Sequence, residues 1–441
     1  SYWKGERGRM NIFPIALLFI LMIALMIFGL PLAFSLFLSS VVVVMTCTDL
    51  PFLQLIQKMF AGVDSFVLTA IPFFLLCGNL MNSGKITDKL INLASTIVGH
   101  MRGGLAHINV LVSLLFGGVS GSAVADTSGV GSILIPAMQD RGYPKAFTVA
   151  VTATSSVLGQ IIPPSLIMII YASTSGASVQ ALFIAGIVPG VILALTMMGV
   201  SYYYAVKYDY PREEKKKFSD FVIALKESAL VLVMPLIIIG GVLTGICTAT
   251  ESAVLAVVYS LIITLFVDKT LTIADLGPIF VQTAKGTATS LFCIAGAGAF
   301  GYLMAYFKVS KLVQDLIVSL NMSQWQYILF VIALFMILGC FMDATPAICI
   351  FVPIVVPTGL ALGLNPTHLG IIICLVLAIG MVTPPYGLCL LIGCQISGIE
   401  PQKTFKDVGV MLGAVIITLI VILLMPDLIL WLPRLICPKF V

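Results

Sequence analysis

Charge is what this sequence is short of. Only 10% of its 441 residues are Asp, Glu, Lys or Arg, against about 25% in an ordinary soluble domain, while 60% are hydrophobic. A chain so composed is a polytopic membrane protein, and a net charge of +4 spread over its loops leaves no footprint for nucleic acid. Histidine is scarcer still. His100, His107 and His368 are scattered, which excludes a zinc constellation and leaves them as interfacial or packing residues. The ten cysteines contain no CxxC pair. Most of them, Cys340, Cys349, Cys374, Cys389 and Cys394 included, fall inside apolar segments and read as small buried hydrophobes rather than a disulfide framework. No Ser/His, GxGD or HExxH arrangement is present, so an intramembrane enzyme would lack its chemistry. The polar run SYWKGERGRM at 1–10 lacks the apolar core and cleavage site of a signal peptide, and is expected to be a leader or a fusion linker.

What is present is one plan used twice. SGSAVADTSGVGSILIP at 120–136 and GQIIPPS at 159–165 are echoed by DATPAICIFVP at 343–353 and GMVTPPY at 380–386. Asp126 and Asp343 each stand ten residues before a proline, Pro136 and Pro353, and Gly159 and Gly380 each stand four before a proline pair. Upstream, Gly78, Leu80, Met81 and Lys85 are answered at identical spacing by Gly301, Leu303, Met304 and Lys308. Duplication in an apolar chain, with carboxylates and broken helices at corresponding positions, points to the binding site of a secondary transporter.

Apolar spans are expected at 12–28, 32–45 and 66–81, a mixed surface segment at 52–63, and an amphipathic interfacial helix at 85–100. Residues 105–138 are long enough to cross, but their centre is rich in Gly and Ser and carries Asp126. That predicts a re-entrant hairpin, since backbone leaves the helix at membrane depth only where protein or a water-filled cavity satisfies it. Residues 147–172 read as a span broken at Pro163-Pro164, and 182–206 closes a first repeat over 11–206. Residues 207–229, with a Lys/Arg excess, form a cytoplasmic loop and linker. The second repeat, 230–441, has spans at 230–246, 254–267 and 290–307, an amphipathic stretch at 309–320, a hairpin at 327–357, a broken span at 369–393 and a last span at 410–430. Five crossings per repeat is an odd number. The second copy therefore enters from the opposite face, and the fold class is all-α and polytopic with two inverted repeats and an amino terminus outside. Two interfacial arms, each leading into a hairpin, suggest an elevator.

An Asp at bilayer depth costs a few kcal/mol unless a cation, a proton or water compensates it, and no Lys or Arg lies within the motifs. Sodium wants oxygen ligands, which the motifs offer at Ser120, Asp126, Gly159 and Ile162 in one copy and at Asp343, Thr345, Gly380 and Thr383 in the other. Protons carried on Asp126 and Asp343 are the alternative coupling. The plainer role for both aspartates is capping the second helix of each hairpin. A carboxylate substrate would lie near the half-helix amino ends that follow Pro164 and Pro385, where oriented amides favour anions, with Ser128, Ser165 and Tyr386 as candidate contacts. Glu251 is either a third ionisable site or a residue of a wet turn.

The run GGVSGSAVADTSGVGSILIPAM at 117–138 is specific. From residue 10 onward the chain resembles the large membrane subunit of tripartite ATP-independent periplasmic (TRAP) transporters, most of all the large-subunit portion of a fused sialic-acid TRAP transporter. The repeat layout is similar to that of the ion-transporter superfamily containing the divalent-anion sodium symporters. There the hairpin tips carry Ser-Asn-Thr, and Asp126-Thr127-Ser128 and Asp343-Ala344-Thr345 occupy the matching places, departing from it at the middle position. The resemblance implies at least two sodium ions at the residues named and an elevator movement. It also implies a small four-span membrane subunit, a periplasmic substrate-binding protein and a bacterial inner-membrane location. The implied activity is sodium-coupled import of a carboxylate-bearing anion, sialic acid favoured, and no enzymatic reaction. A proton-coupled organic-anion or C4-dicarboxylate transporter or antiporter of the same superfamily is the alternative.

Overall fold

The apolar runs are helical, and the chain turns at Gly29-Leu30-Pro31, Gly121, Pro163-Pro164 and Pro426, whereas Pro136, Pro189, Pro235, Pro353 and Pro357 lie inside helices. The computed structural model describes residues 12–384 and 387–438, and no strand occurs among them. The first half contains α1 (Phe13–Ile27), α2 (Leu32–Cys47), α3 (Phe52–Val63), α4 (Ala70–Ser83) and α5 (Ile86–Val98). It continues with a hairpin of α6 (Gly104–Ser120) and α7 (Ala123–Asp140), then α8 (Lys145–Ser155), α9 (Leu158–Ile161), α10 (Leu166–Ser175) and α11 (Val179–Lys207). The second half contains α12 (Phe218–Leu243), α13 (Ala249–Ile262), α14 (Ile273–Tyr306), α15 (Val309–Ser319) and a hairpin of α16 (Gln324–Phe341) and α17 (Ala344–Ala361). The chain then runs through α18 (Pro366–Gly380), α19 (Leu388–Ser397), α20 (Phe405–Leu424) and α21 (Pro426–Ile436). Seven helical stretches among the described residues are long and apolar enough to cross a membrane, eight if the pair Lys145–Ile161 and Leu166–Ser175, bent by 44°, is one span.

Two groups of helices result. In one, α14 packs on α2, α3 and α4, and α13 packs on α4 and α12. In the other, each hairpin is held from both halves: α6 lies on α9 and α16 on α18, while α7 is covered by α19 and α17 by α10. The connection is therefore crosswise, and α11 with α20 closes it. Amphipathic α5 and α15 join the groups. Each begins at a lysine in the left-handed region, Lys85 at φ 57° and Lys308 at φ 53°, a conformation few side chains adopt, so the duplicated plan repeats an irregularity as well as a sequence.

Residues 208–217 lie outside the helices and form a strap against the first hairpin and its arm. Glu213 N donates to Gly99 O at 3.1 Å, Gly103 N donates to Pro211 O at 3.1 Å, and Arg141 pairs with Glu213 at 3.6 Å. The same end carries the Lys89–Asp268 pair.

Several expected boundaries change. The linker expected over 207–229 is helical from Phe218, where Asp220 in the first turn accepts from Lys217 N at 2.9 Å and satisfies one free amide of the helix start. The span expected at 290–307 is the second half of α14, whose 34 residues extend about 51 Å. Gly277, Pro278, Lys285 and Gly286 dilute the apolar signal of its first half, although the helix runs on through Pro278, which removes one hydrogen bond without ending it. The last span, expected at 410–430, divides at Met425, ahead of Pro426. The span expected at 66–81 enters its helix only at Ala70, after a turn at 66–69. At 15 and 16 residues, α1 and α2 reach about 22 to 24 Å, short of a hydrocarbon core of about 30 Å.

Candidate functional site

The two hairpins turn in the same manner at different residues. Gly121, in the left-handed region at φ +61°, ends α6, and Ser122 caps α7 by accepting from Ala125 N at 3.4 Å. In the second hairpin Met342 ends α16 and Asp343 holds the capping position of α17 without a side-chain cap bond. Both outgoing helices have 18 residues. Aligned by their starts, Ser122 matches Asp343, Pro136 matches Pro357 and Gly159 matches Gly380, all at one common separation along the chain. The expected pairing of Asp126 with Asp343 through Pro136 and Pro353 is thus out of register by one helical turn. α17 contains two prolines a turn apart, and spacing alone selects the wrong one. The first tip is Ser120-Gly121-Ser122, not Asp126-Thr127-Ser128, and Asp126 is not a cap.

Each tip rests on the break of its own half through glycine. A Cβ on Gly117 would lie 3.0 Å from Gly159 Cα, and one on Gly339 would lie 3.0 Å from Gly380 Cα. A Cβ on Gly121 would meet Pro164 O at 2.5 Å, and Leu166 N donates to Gly121 O at 3.3 Å. Ser120, Gly159 and Ser165 therefore share one layer. Ser120 Oγ accepts from Ser122 N at 3.5 Å. Ser165 caps α10, donating to Gln160 O at 2.6 Å and accepting from Met168 N at 3.4 Å, so its hydroxyl is used within the protein. Ile162 turns its side chain to α11, where a Cβ on Gly190 would be 2.2 Å from its Cδ1. Ser128 is exposed and donates to Ala125 O at 3.1 Å, apart from this layer.

Asp126 lies one turn inside α7, fully buried, and neither carboxylate oxygen makes a hydrogen bond. Asp343, by contrast, is exposed to a crevice of about 340 Å³ between α14, the α1–α2 turn and the second tip. Thr289, Ser290, Cys293, Thr345 and Leu388 line it as well. Thr383 donates to Ile379 O at 2.8 Å within the second break. Tyr386 and Pro385 lie outside the described residues. Gln160, between the two breaks, donates to Met381 Sδ at 2.9 Å and leaves Oε1 buried without a partner.

Sequence reasoning missed a polar layer beneath the first tip: Asn109 and Ser113 on α6 and Thr152 and Ser155 on α8, all fully buried. Its signal was there, in polar residues four apart on one apolar helix and three apart on the other. Glu251 is spent on the Thr248 capping box, with Thr248 N donating to it at 2.8 Å. His107 and His368 meet the carbonyls of Arg102 and Ile422, as packing residues do. Among the described residues no group of three His, Cys, Asp or Glu gathers around a metal position.

Comparison with known proteins gives this geometry a setting. Residues 19–428 match the family described as "Tripartite ATP-independent periplasmic transporter, DctM component". The chain is 35% identical to the C4-dicarboxylate TRAP transporter large permease protein DctM of Rhodobacter capsulatus, over 95% of this chain and 98% of that protein. It is 34% identical to the sialic acid TRAP transporter large permease protein SiaM of Vibrio cholerae, over 94% and 97%. Among solved structures, MtrF of Neisseria gonorrhoeae shares the fold with a TM-score of 0.61 at 13% identity, covering 98% of this chain and 96% of that one.

Proposed function

The chain belongs to the DctM-component family of TRAP transporters, and from that premise we propose that it is the large permease of a sodium-coupled importer of a carboxylate-bearing organic anion. It is a multi-pass protein of the bacterial inner membrane and a transporter rather than an enzyme. Permeases of this kind work with a small membrane subunit and a periplasmic binding protein. The observation that carries sodium coupling is Asp126, a carboxylate with no partner inside an apolar bundle. An uncompensated charge at that depth calls for a counter-ion, and Asp343 presents a second carboxylate where water enters.

In this reading the coupling ions sit at the two tips, one set of ligands drawn from Ser120, Asp126, Gly159 and Ile162 and the other from Asp343, Thr345, Gly380 and Thr383. Substrate enters by the Asp343 crevice and is held near the amino ends that follow the breaks, with Ser128, Ser165 and Tyr386 as contacts to test. Sialic acid is the first substrate to test and C4-dicarboxylates the second. The repeats are inverted, and the hairpins and broken spans move together against α1 to α4 and α12 to α14. The strap end, which carries Lys89, Arg102, Arg141, Lys145 and the lysines of 215–217, faces the cytoplasm by the positive-inside rule. The test is uptake into proteoliposomes holding the permease and its small subunit, with sodium and binding protein varied separately. Uptake should need both. Uptake driven by a pH gradient without sodium would replace this reading with the proton-coupled one.

A further inference from the structure

A cavity of about 890 Å³, wider than the Asp343 crevice, lies away from both tips, between the strap at 208–217, the arm α5 and the foot of the first hairpin. Five basic residues and four carboxylates line it. Glu213 is spent on Arg141 at 3.6 Å, and Asp220 accepts from Lys217 N at 2.9 Å. Lys216 has only neutral partners, donating to Asn92 Oδ1 at 3.4 Å and to Ser95 Oγ. Arg212, Lys215 and Lys217 form no ion pair among the described residues. Four cations thus face two carboxylates, Asp88 and Glu214, and the surplus is positive. The neighbours of the cavity fix its depth. Tyr202, Tyr203 and Tyr208 stand exposed at the end of α11 that leads into the strap, and Lys207 lies over two of their rings at 5.7 and 5.5 Å. Exposed Tyr at the end of an apolar span belongs to the membrane–water boundary. Phe218 follows the three lysines directly and is 79% exposed, an apolar ring beside charged heads, as suits the level where headgroups meet acyl chains. The cavity has the same division, with Ile91, Leu105 and Ile133 as an apolar wall beside its basic residues.

We propose that this cavity binds an anionic glycerophospholipid, its phosphodiester held by Arg212, Lys215 and Lys217 and its glycerol and first acyl carbons against Ile91, Leu105 and Ile133. Lysine brings a compact charge to phosphate oxygens, and arginine a planar fork. A soluble phosphate would use the cations and gain nothing from the apolar wall. A lipid uses both, and basic pockets beside membrane helices recruit anionic headgroups in this way. A headgroup placed here touches the strap, the arm and the hairpin foot together, so its binding stabilises the folded permease as any ligand of the native state does. Neither aspartate takes part, and the site stands or falls independently of sodium coupling.

The experiment is thermal unfolding of the purified, delipidated full-length permease in neutral detergent, titrated with dioctanoyl phosphatidylglycerol. Parallel titrations use dioctanoyl phosphatidylcholine and glycerol 3-phosphate. Phosphatidylglycerol should raise the unfolding midpoint saturably, and added salt should weaken the effect. The zwitterionic lipid and the lipid-free phosphate should leave the midpoint unchanged at the same concentrations. The triple variant Arg212→Gln, Lys215→Gln, Lys217→Gln removes exposed charges without ion pairs, so it should unfold like wild type without lipid. It should need roughly a hundredfold more phosphatidylglycerol for the same rise, and Lys215→Gln alone roughly fivefold more. Lys285→Gln with Lys308→Gln and Lys311→Gln, which removes as much charge away from the cavity, should respond as wild type does. A triple strap variant that keeps the wild-type response, or a distant variant that loses it equally, would overturn the site. Phosphatidylcholine acting as well as phosphatidylglycerol would do the same. A midpoint raised equally by glycerol 3-phosphate would make it a site for soluble anions and end the lipid assignment.

Discussion

Asp126 and Asp343 belong to hairpins whose outgoing helices have the same length, yet one carboxylate is sealed a turn inside its helix and the other opens on a crevice at the turn itself. Each tip leans on its own break through a glycine pair, so the support is common to both halves and the placement of charge is not. In the first half the tip position is taken by Ser122, a side chain that caps its helix unaided. In the second half Asp343 itself holds the capping position, with Ala344 and Thr345 beside its carboxylate, and faces the crevice. Duplication has preserved the scaffold and let its chemistry move by one turn.

The sharpest way to break this contrast is to ask which position water reaches. With the native cysteines replaced, Asp343→Cys should react with a charged thiol reagent roughly a hundredfold faster than Asp126→Cys, the factor for a local opening of about 2.7 kcal/mol. Equal rates would mean that the two halves are equally open. Next is voltage. If both halves carry coupling ions, a monoanionic substrate enters with at least one net positive charge, worth about 2.3 kcal/mol per 100 mV. An inside-negative potential of that size should raise accumulation about fiftyfold at fixed sodium gradient. A potassium gradient with valinomycin supplies the potential, and uptake indifferent to it would leave one half as scaffold only. The smallest effect expected is in the glycine contacts. A Cβ on Gly380 would meet Gly339 backbone at 2.5 Å, and one on Gly159 would meet Ser122 O at 3.2 Å. Gly380→Ala should therefore destabilise more than Gly159→Ala, by about 1 to 2 kcal/mol, read as a difference in unfolding midpoints.

The sequence was most informative where physics is local. Gly and Ser at apolar depth fall where α6 turns into α7, the Pro163-Pro164 pair falls where α9 gives way to α10, and Lys85 with Lys308 stand at the starts of the arms. Long apolar helices with weak centres were harder. Lys285 and Gly286 concealed the first half of α14, and Pro426 reads as part of a span until the chain is seen to divide there. The register of the two aspartates failed for a particular reason: proline spacing in α7 and α17 admits two alignments, and only the helix starts decide between them. Asn109, Ser113, Thr152 and Ser155 were legible as polar residues but not as a set, because what unites them is the packing of α6 on α8, a contact between residues about 40 apart.

The crosswise covering of the hairpins has a consequence in time. Hairpin α6–α7 is complete at Asp140, but the helix that covers it, α19, begins only at Leu388. At synthesis rates of about 5 to 20 residues per second, that helix follows roughly 12 to 50 seconds later. Through that interval α7 and its Asp126 lack the helix that packs over them. The first hairpin is therefore made long before the helix that covers it, and the enclosure of Asp126 is one of the last contacts the chain can form.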